Sequence, residues 1–320
     1  MKFDAIILAA GRGKRMKPFS DLISKPMLPI LNKPLISIIA EQLLNIGAEK
    51  LIIVVSQSNG DEIKTFFQKQ SYSNKIVYCL QDPPQGTADA IYKAGLQSSA
   101  DVLVSMAGDN VFSEKFCLSM ISEFFKLRNS IQCIITLIEV TKEEITKLAS
   151  VKMNDKGLIT SIIEKPKLED VESTLASLSV YIFEKSLLDF FGNVPLSPRG
   201  EYEAPDAFIA MLQNKNTINI KGLVTKEKYV HISNPFDLWK YNMDYLEGKT
   251  NHIAKNAKIP GDSILQNCII GENVIVGKNC KLENCLVLER VKVPDNTILK
   301  GGILGNSTDG FEVYIITEKE

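Results

Sequence analysis

Two periodicities, one after the other, predict an α/β domain with a mainly parallel sheet sandwiched by helices, followed by a short parallel β-helix. The first is an alternation of short β-rich apolar runs with segments of helical spacing. The second is a recurrence of aliphatic residues every six positions near the C-terminus. Length agrees, since 320 residues suit two domains at about 150 residues each.

Residues 4–10 form an apolar run of the length of a buried strand. A Gly- and Lys-rich loop follows. Then Ile38, Ile39, Leu43, Leu44 and Ile46 repeat at helical spacing within residues 34–48, where Pro34 and Gly47 suit a helix start and stop. Residues 51–55 predict a second strand and residues 61–70 a second helix. A strand over 76–80, a helix over 87–96 and a strand over 102–106 continue the alternation. Such alternation implies βαβ units and a Rossmann-like, mainly parallel sheet with helices on both faces. Residues 131–181 are richer in strands and predict an antiparallel or mixed extension. Helices over 206–212 and 235–246 close a first domain spanning residues 1–250.

Ile264, Ile270, Val276, Leu282 and Leu288 carry the six-residue recurrence, with Cys268, Val274, Cys280 and Leu286 two before the later members. Ile270-Gly271 and Val276-Gly277 fit the aliphatic-Gly start of a hexapeptide repeat. Stacked coils would line these residues up in one inward column, over residues 251–306, leaving 307–320 as a tail. Cys268 and Cys280 fall on the inward register and read as small core residues, with a metal or redox role as the alternative.

Composition excludes several function classes. Lys plus Arg number 37 against 38 Asp plus Glu, a net charge of -1, so no basic excess marks a nucleic-acid partner. No run reaches the roughly 18 consecutive apolar residues of a membrane helix. Asp4 interrupts what would be the apolar core of a signal peptide, and the six cysteines form no CxxC pair. A cytoplasmic protein is expected.

The chemistry concentrates in the first loop, Leu8-Ala9-Ala10-Gly11-Arg12-Gly13-Lys14-Arg15-Met16-Lys17-Pro18, and in Lys25-Pro26. A glycine-rich turn after a strand lets backbone N–H groups approach a phosphate, while Arg15 and Lys25 supply fixed positive charge. The dinucleotide fingerprint GxGxxG fails, because Met16 takes its third glycine and no acidic residue ends a second strand. The Walker pattern GxxxxGK[ST] is absent from the loop.

The loop resembles the signature LxxGxGxRLxPLTxxxPKP of the sugar-1-phosphate nucleotidyltransferases. Gly11, Gly13, Arg15, Pro18, Ser20, Lys25 and Pro26 fall at its spacing, with Phe19 for a leucine and Ser24 for a proline. The hexapeptide tail strengthens the resemblance, which extends to about Gly305, because many members carry a left-handed parallel β-helix behind the catalytic domain. It implies a nucleotide site formed by Leu8, Ala9, Ala10, Gly11 and Gly13. Gln81 with Gly86 and Thr87, in Gln85-Gly86-Thr87-Ala88-Asp89-Ala90, resembles the family segment that reads a uracil or thymine edge. Outside the motif, Gln81 and Thr87 read as loop and N-cap residues. Gly108-Asp109-Asn110 resembles the motif whose aspartate binds Mg²⁺, a hard cation that takes carboxylate and phosphate oxygens. Glu164-Lys165-Pro166 resembles the element that holds sugar hydroxyls and the sugar phosphate, and Gly200-Glu201-Tyr202-Glu203-Ala204-Pro205-Asp206 the rim of the sugar pocket.

The resemblance implies direct in-line attack of a sugar 1-phosphate oxygen on the α-phosphorus of UTP or dTTP, an EC 2.7.7 reaction. Arg15 and Lys25 would stabilise the leaving pyrophosphate, Lys165 would hold the incoming phosphate and Asp109 the metal. Three positions depart from the pattern. His231 occupies the place of the second metal aspartate, with Asn234 nearby as a substitute ligand. Ser177 stands where a sugar-contacting asparagine is usual, and Ala149 or Ser150 where a glycine is. A regulatory paralogue that keeps the nucleotide pocket is therefore the alternative to an active enzyme. An acetyltransferase β-helix is not expected, since the two histidines, His231 and His252, read as lying ahead of the repeat. The β-helix is expected to serve homo-oligomer contacts or to cap the catalytic domain.

Overall fold

The computed structural model describes residues 2–11, 13–214, 218–227, 229–246 and 250–316. The chain packs as two compact units. One comprises Met1–Gly11 with Ile39–Tyr229, the other Arg12–Ile38 with Val230–Glu320. Among the described residues, no helix is long and apolar enough to cross a membrane.

The first unit is built on a nine-stranded sheet. Its main path runs Ile159–Glu164, Ala149–Met153, Leu175–Glu184, Val102–Ala107, Phe3–Leu8, Ala48–Val55, Ile76–Leu80. Phe3–Leu8 lies parallel between Ala48–Val55 and Val102–Ala107, and Ala48–Val55 is parallel to Ile76–Leu80. These strands are apolar almost throughout because both faces are covered: Ile6, Ile7, Ile52, Ile53, Leu103 and Val104 are fully buried. Asp4 is the exception in the first strand, and it is buried because Ser98 Oγ donates to its carboxylate at 2.6 Å. The expected mixed extension begins at Leu175–Glu184, which is antiparallel to both Val102–Ala107 and Cys133–Glu139. The hairpin of Ala149–Met153 and Ile159–Glu164 continues it, and Ile220–Thr225 adds a parallel strand on Cys133–Glu139.

The helices Gly60–Phe67 and Thr87–Gly95 follow the expected alternation within a few residues. The longest helix of the unit, Glu114–Leu127, is absent from the sequence reading. Phe116, Cys117, Met120, Ile121 and Phe124 supply its buried stripe, and Ser113 caps it by accepting the Phe116 N–H at 3.0 Å. Helix Ala204–Gln213 is seated by aromatic edges: Phe208 meets Tyr181 at 4.7 Å and Phe191 at 5.4 Å between ring centroids. Burying each such ring contributes about 1.5–3 kcal/mol.

The second unit joins the C-terminal strands to the loop that precedes Ile39. Its parallel strands stack in register: Asn251 opposite Cys268, Ile264 opposite Lys281, Ile269 opposite Leu286, Ile275 opposite Lys292 and Lys281 opposite Ile298. Each step spans 17 residues, and the corner asparagines follow it, Asn256 Nδ2 donating to Asn273 Oδ1 across that same 17-residue offset. Asn267, Asn273, Asn279, Asn284 and Asn296 all turn with positive φ, a conformation asparagine tolerates better than most residues. The 17-residue rise corrects the six-residue register at its start. Leu265, not Ile264, stands opposite the buried Leu282, and Ile264 is 61% exposed. Ile270, Val276, Leu282 and Leu288 are inward as expected, as are Cys268, Val274, Cys280 and Leu286. His252 is a second correction, because it lies in the first rung, Asn251–Ile253, rather than ahead of the stack. The expected tail is a third. Gly310–Ile315 pairs antiparallel with Ile298–Ser307, while residues 317–320 lie outside the described residues.

The loop is bound to this stack at several points. Phe19 is fully buried against Gly305, where a Cβ would lie 2.5 Å from its ring. Leu31 and Asn32 turn a tight hairpin with φ of 47° and 63°. Asn242, fully buried in helix Pro235–Leu246, accepts from Leu31 N–H at 2.9 Å and donates to Pro29 O at 2.9 Å. Asn32 Nδ2 donates to Ile270 O at 2.8 Å, and Trp239 Nε1 to Asn284 O at 2.8 Å. This grouping cuts across the boundary expected at 250/251, since helix Pro235–Leu246 and the signature loop pack with the C-terminal strands.

The register makes a direct prediction. Leu282→Ala should lower stability by roughly 2–5 kcal/mol, whereas Ile264→Lys should change it by less than about 0.5 kcal/mol, by urea or thermal unfolding. Equal losses from both would place Ile264 inside the stack.

Candidate active site

The carboxyl edge of the first unit's sheet is drawn together by backbone contacts. Gly108 N–H donates to Leu8 O at 2.9 Å, and a Cβ on Gly108 would lie 2.8 Å from that oxygen. Ala9 N–H donates to Val54 O at 3.0 Å, and the buried Asn59 donates from Nδ2 to Ala9 O at 2.8 Å. Leu8, Ala9 and Ala10 are thereby held in the floor of the edge, the two alanines buried. Gly11 is exposed, its φ lies outside the left-handed region, and a Cβ there would meet nothing within 4 Å. Neither backbone conformation nor internal packing calls for this glycine; what its bareness leaves room for is an approach from outside the chain. Asp109, half-exposed, and the buried Asn110 follow Gly108 at the same edge.

The base segment lies one strand further out. Gln81 is buried, and its Nε2 donates to Gly86 O at 2.9 Å and to Asp89 Oδ2 at 2.8 Å. Gly86 takes φ 115°, and a Cβ on it would lie 2.3 Å from Tyr202 O. Thr87 is not an N-cap, the role it would have outside the motif. Gly86 occupies that place, and Thr87 Oγ1 accepts from Ala204 N–H at 2.9 Å. Ala88 N–H donates to Tyr202 O at 2.9 Å and Tyr202 N–H to Gln85 O at 2.8 Å. The base segment and the 199–206 segment are thus stitched backbone to backbone.

Glu164 and Lys165 end the strand Ile159–Glu164, with Glu164 opposite Ala149 in the hairpin and Ser150 opposite Ala176. Lys165 has φ 48°, a left-handed conformation costing a lysine about 1–2 kcal/mol, and its N–H is held by Leu148 O at 2.9 Å. Strain of this kind persists where a particular side chain is needed. Arg199, which the sequence reading passed over, joins the cluster. Its Nε donates to Glu203 Oε1 at 2.9 Å, a guanidinium nitrogen pairs with the other Glu203 oxygen, and Nη2 reaches Glu164 Oε1 at 3.2 Å. The available signal was its spacing four residues before Glu203 and directly ahead of Gly200-Glu201-Tyr202-Glu203. Burial and the Glu203 charge raise the Glu164 pKa, against the pull of Lys165 and Arg199. Burial and Glu203 raise Asp206 in the same way. Ser177 lies on strand Leu175–Glu184, its Oγ donating to Leu178 O at 3.4 Å, and burial pushes the pKa of the Tyr181 phenol on the same strand up to about 12.

In the second unit, Gly13 takes φ 59°, and a Cβ on it would sit 3.0 Å from Lys25 Cβ. The half-buried Lys25 therefore lies directly over the Gly13 turn. Arg15 is exposed, directly ahead of the fully buried anchors Met16 and Phe19. His231 is half-exposed, and its backbone bonds the Tyr241 hydroxyl. Asn234 is committed elsewhere. Its Oδ1 accepts from Asp237 N–H at 3.0 Å, while Asp237 Oδ2 accepts from Asn234 N–H at 3.2 Å, a reciprocal cap on helix Pro235–Leu246. Among the described residues, no three His, Cys, Asp or Glu side chains form a metal-holding group.

An open α/β sheet with a bare glycine turn and an acidic residue at its carboxyl edge has the architecture in which such folds place their ligands. Residues 4–248 match the family described as nucleotidyl transferase, and the chain belongs to that family of enzymes. Residues 248–317 match the GMPPB C-terminal domain. The "Bifunctional protein GlmU" of Methanococcus maripaludis is 28% identical over 337 residues, 94% of this chain and 77% of that protein. A UDP-glucose pyrophosphorylase solved with UDP-glucose superposes with a TM-score of 0.69 at 22% identity, over 78% of this chain and 100% of that one. A putative glucose-1-phosphate thymidylyltransferase from Bacillus anthracis gives 0.66 at 21% identity, over 77% and 96%. At these identities the two structures show a shared fold.

Two predictions follow from the Glu164 cluster. A Glu164 that works ionised should give kcat/KM an acid limb above the ordinary carboxylate range, with activity lost as pH falls through it. Arg199→Ala removes a charge that holds this pKa down, so the limb should move to higher pH; an unmoved limb would disconnect Glu164 from turnover. Lys165→Gly should keep or raise unfolding stability, by about 1 kcal/mol, while turnover falls roughly 100-fold or more. A stability loss with turnover intact would make the left-handed lysine merely structural.

Proposed function

We propose that this protein transfers a nucleotidyl group from UTP or dTTP to a sugar 1-phosphate, releasing pyrophosphate. The observation that carries this reading is Gly11, exposed at the sheet's carboxyl edge with no internal reason to lack a side chain. Backbone N–H groups of such a turn suit phosphate oxygens. Gln81 supports a pyrimidine with a ring N–H, because its amide oxygen is left as the free acceptor.

In this reading the chain supplies position and charge rather than a covalent intermediate. Leu8, Ala9, Ala10, Gly11 and Gly13 hold the nucleotide, with Gln81, Gly86 and Thr87 around the base. Arg15 and Lys25 neutralise charge gathering on the leaving pyrophosphate. Lys165 holds the phosphate of the acceptor, Glu164 its sugar hydroxyls, and Ser177 lines the sugar side. The attacking phosphate oxygen is already ionised near neutral pH, so no general base is required.

The donor set fits Mg²⁺. That ion keeps several waters and binds through one or two carboxylates plus substrate phosphates, and Asp109 provides one carboxylate at the phosphate-binding edge. Bound there, Mg²⁺ would supply charge neutralisation between phosphate oxygens. His231 stands where the family pattern has a second carboxylate, and it favours a second reading: a regulatory paralogue that binds the nucleotide without turnover. The C-terminal stack reads as a left-handed β-helix, a hand supported by the family resemblance. A cytoplasmic location and homo-oligomer contacts through the stack are part of the same proposal.

The test is pyrophosphate release with Mg²⁺ across UTP, dTTP, GTP, ATP and CTP, each with glucose-, N-acetylglucosamine-, galactose- and mannose-1-phosphate. Turnover confined to UTP or dTTP is expected. Lys25→Ala and Asp109→Ala should each lower it by about 100-fold or more with the circular dichroism spectrum kept. Near-normal turnover in either variant would overturn the site assignment. Silence across the grid, with UTP still bound by calorimetry, would favour the regulatory reading.

A further inference from the structure

We propose that Asp89, braced by Lys93, is a positioning residue that fixes which end of the Gln81 amide faces the base, and so sets base selectivity. The inference rests on the nucleotidyl-transfer reading above and deepens it. A primary amide carries two N–H donors at one end and an acceptor oxygen at the other, so a half-turn of the side chain inverts its recognition chemistry. Here both donors are spent inside the protein, one on Gly86 O at 2.9 Å and one on Asp89 Oδ2 at 2.8 Å. A carbonyl and a carboxylate only accept, so the flipped amide would set its oxygen against two acceptors in a buried site. Gln81 is 3% exposed, and no solvent stands ready to relieve that clash.

Asp89 is itself held. Lys93, one helical turn later, pairs with the same Oδ2 at 2.9 Å, and Asp89 lies in the first turn of helix Thr87–Gly95, where the helix dipole favours negative charge. Among the described residues none donates to Gln81 Oε1. The amide therefore presents an acceptor alone. That matches the N3–H of uracil and thymine and the N1–H of guanine, and it opposes the unprotonated ring nitrogens of cytosine and adenine. Selection against CTP, a pyrimidine of nearly the same size as UTP, then comes from a residue that never touches the base.

Steady-state kinetics of the full chain with UTP and CTP, on the sugar 1-phosphate giving the highest turnover, tests this. Asp89→Ala frees one Nε2 donor, so the UTP-to-CTP ratio of kcat/KM should fall by roughly tenfold or more, mainly through a higher KM for UTP. Asp89→Asn should restore most of the ratio, since its Oδ1 can still accept from Nε2. Lys93→Ala, on a side chain 37% exposed and tolerant of change, should move the ratio in the same direction by less. An unchanged ratio in Asp89→Ala, or an Asp89→Asn variant as indiscriminate as the alanine, would overturn the proposal while leaving the pyrimidine reading intact. A parent enzyme with no preference for UTP or dTTP over CTP would overturn the UTP-or-dTTP reading, and this positioning role with it.

Discussion

The carboxyl edge of the sheet rests on one close approach, the Gly108 N–H against Leu8 O, which only glycine permits. Two parallel strands normally diverge where their hydrogen bonding ends. Here one more bond ties them, so that the bare turn at Gly11 and the carboxylate of Asp109 emerge from neighbouring strand ends. Asn59 adds a second tie by holding the Ala9 carbonyl. For the phosphate ligand proposed here such preorganisation matters, because donors that must first be ordered lose much of their electrostatic advantage.

The second unit applies the same logic to a longer loop. Phe19, Leu31 and Asn32 are fixed by Gly305, Asn242 and Ile270, all from the C-terminal third of the chain. The stack of strands thus acts within its own unit as the support for the segment bearing Arg15 and Lys25. Its 17-residue repeat and asparagine corners stack buried cysteines with buried Ile270, Val276, Leu282 and Leu288 in its interior. Cys268 and Cys280 serve as core residues there, each thiol donating to a backbone carbonyl.

Three carboxylates, Glu164, Glu203 and Asp206, are crowded together and partly withdrawn from water. Burial first, and then the Glu203 charge, raise the pKa of Glu164 and of Asp206, against the pull of Arg199 on both and of Lys165 on Glu164. Of the positions that depart from the family pattern, Ala149 pairs with Glu164 in the hairpin, and Ser150 pairs with Ala176, the residue before Ser177.

Much of this was legible in the chain itself. Strand and helix alternation, the glycine turn after the first strand, and the motifs around Gln81, Asp109 and Glu164 are local patterns, and local patterns survive in one dimension. Helix Glu114–Leu127 was not recognised although its stripe is regular. A cap remained the alternative for Thr87 because only the fold shows Ala204 N–H bonding to it. Asn234 remained a substitute ligand for His231 because only the fold shows its cap on Asp237. The sequence by itself determined which residue types stand at each strand end and the class of reaction they suit. Only the fold brings Arg199 to the acid cluster, turns Asp89 onto Gln81 and leaves Ile264 outside the stack while Leu265 faces Leu282. Those are matters of distance between segments or of side-chain direction, and residue order displays neither.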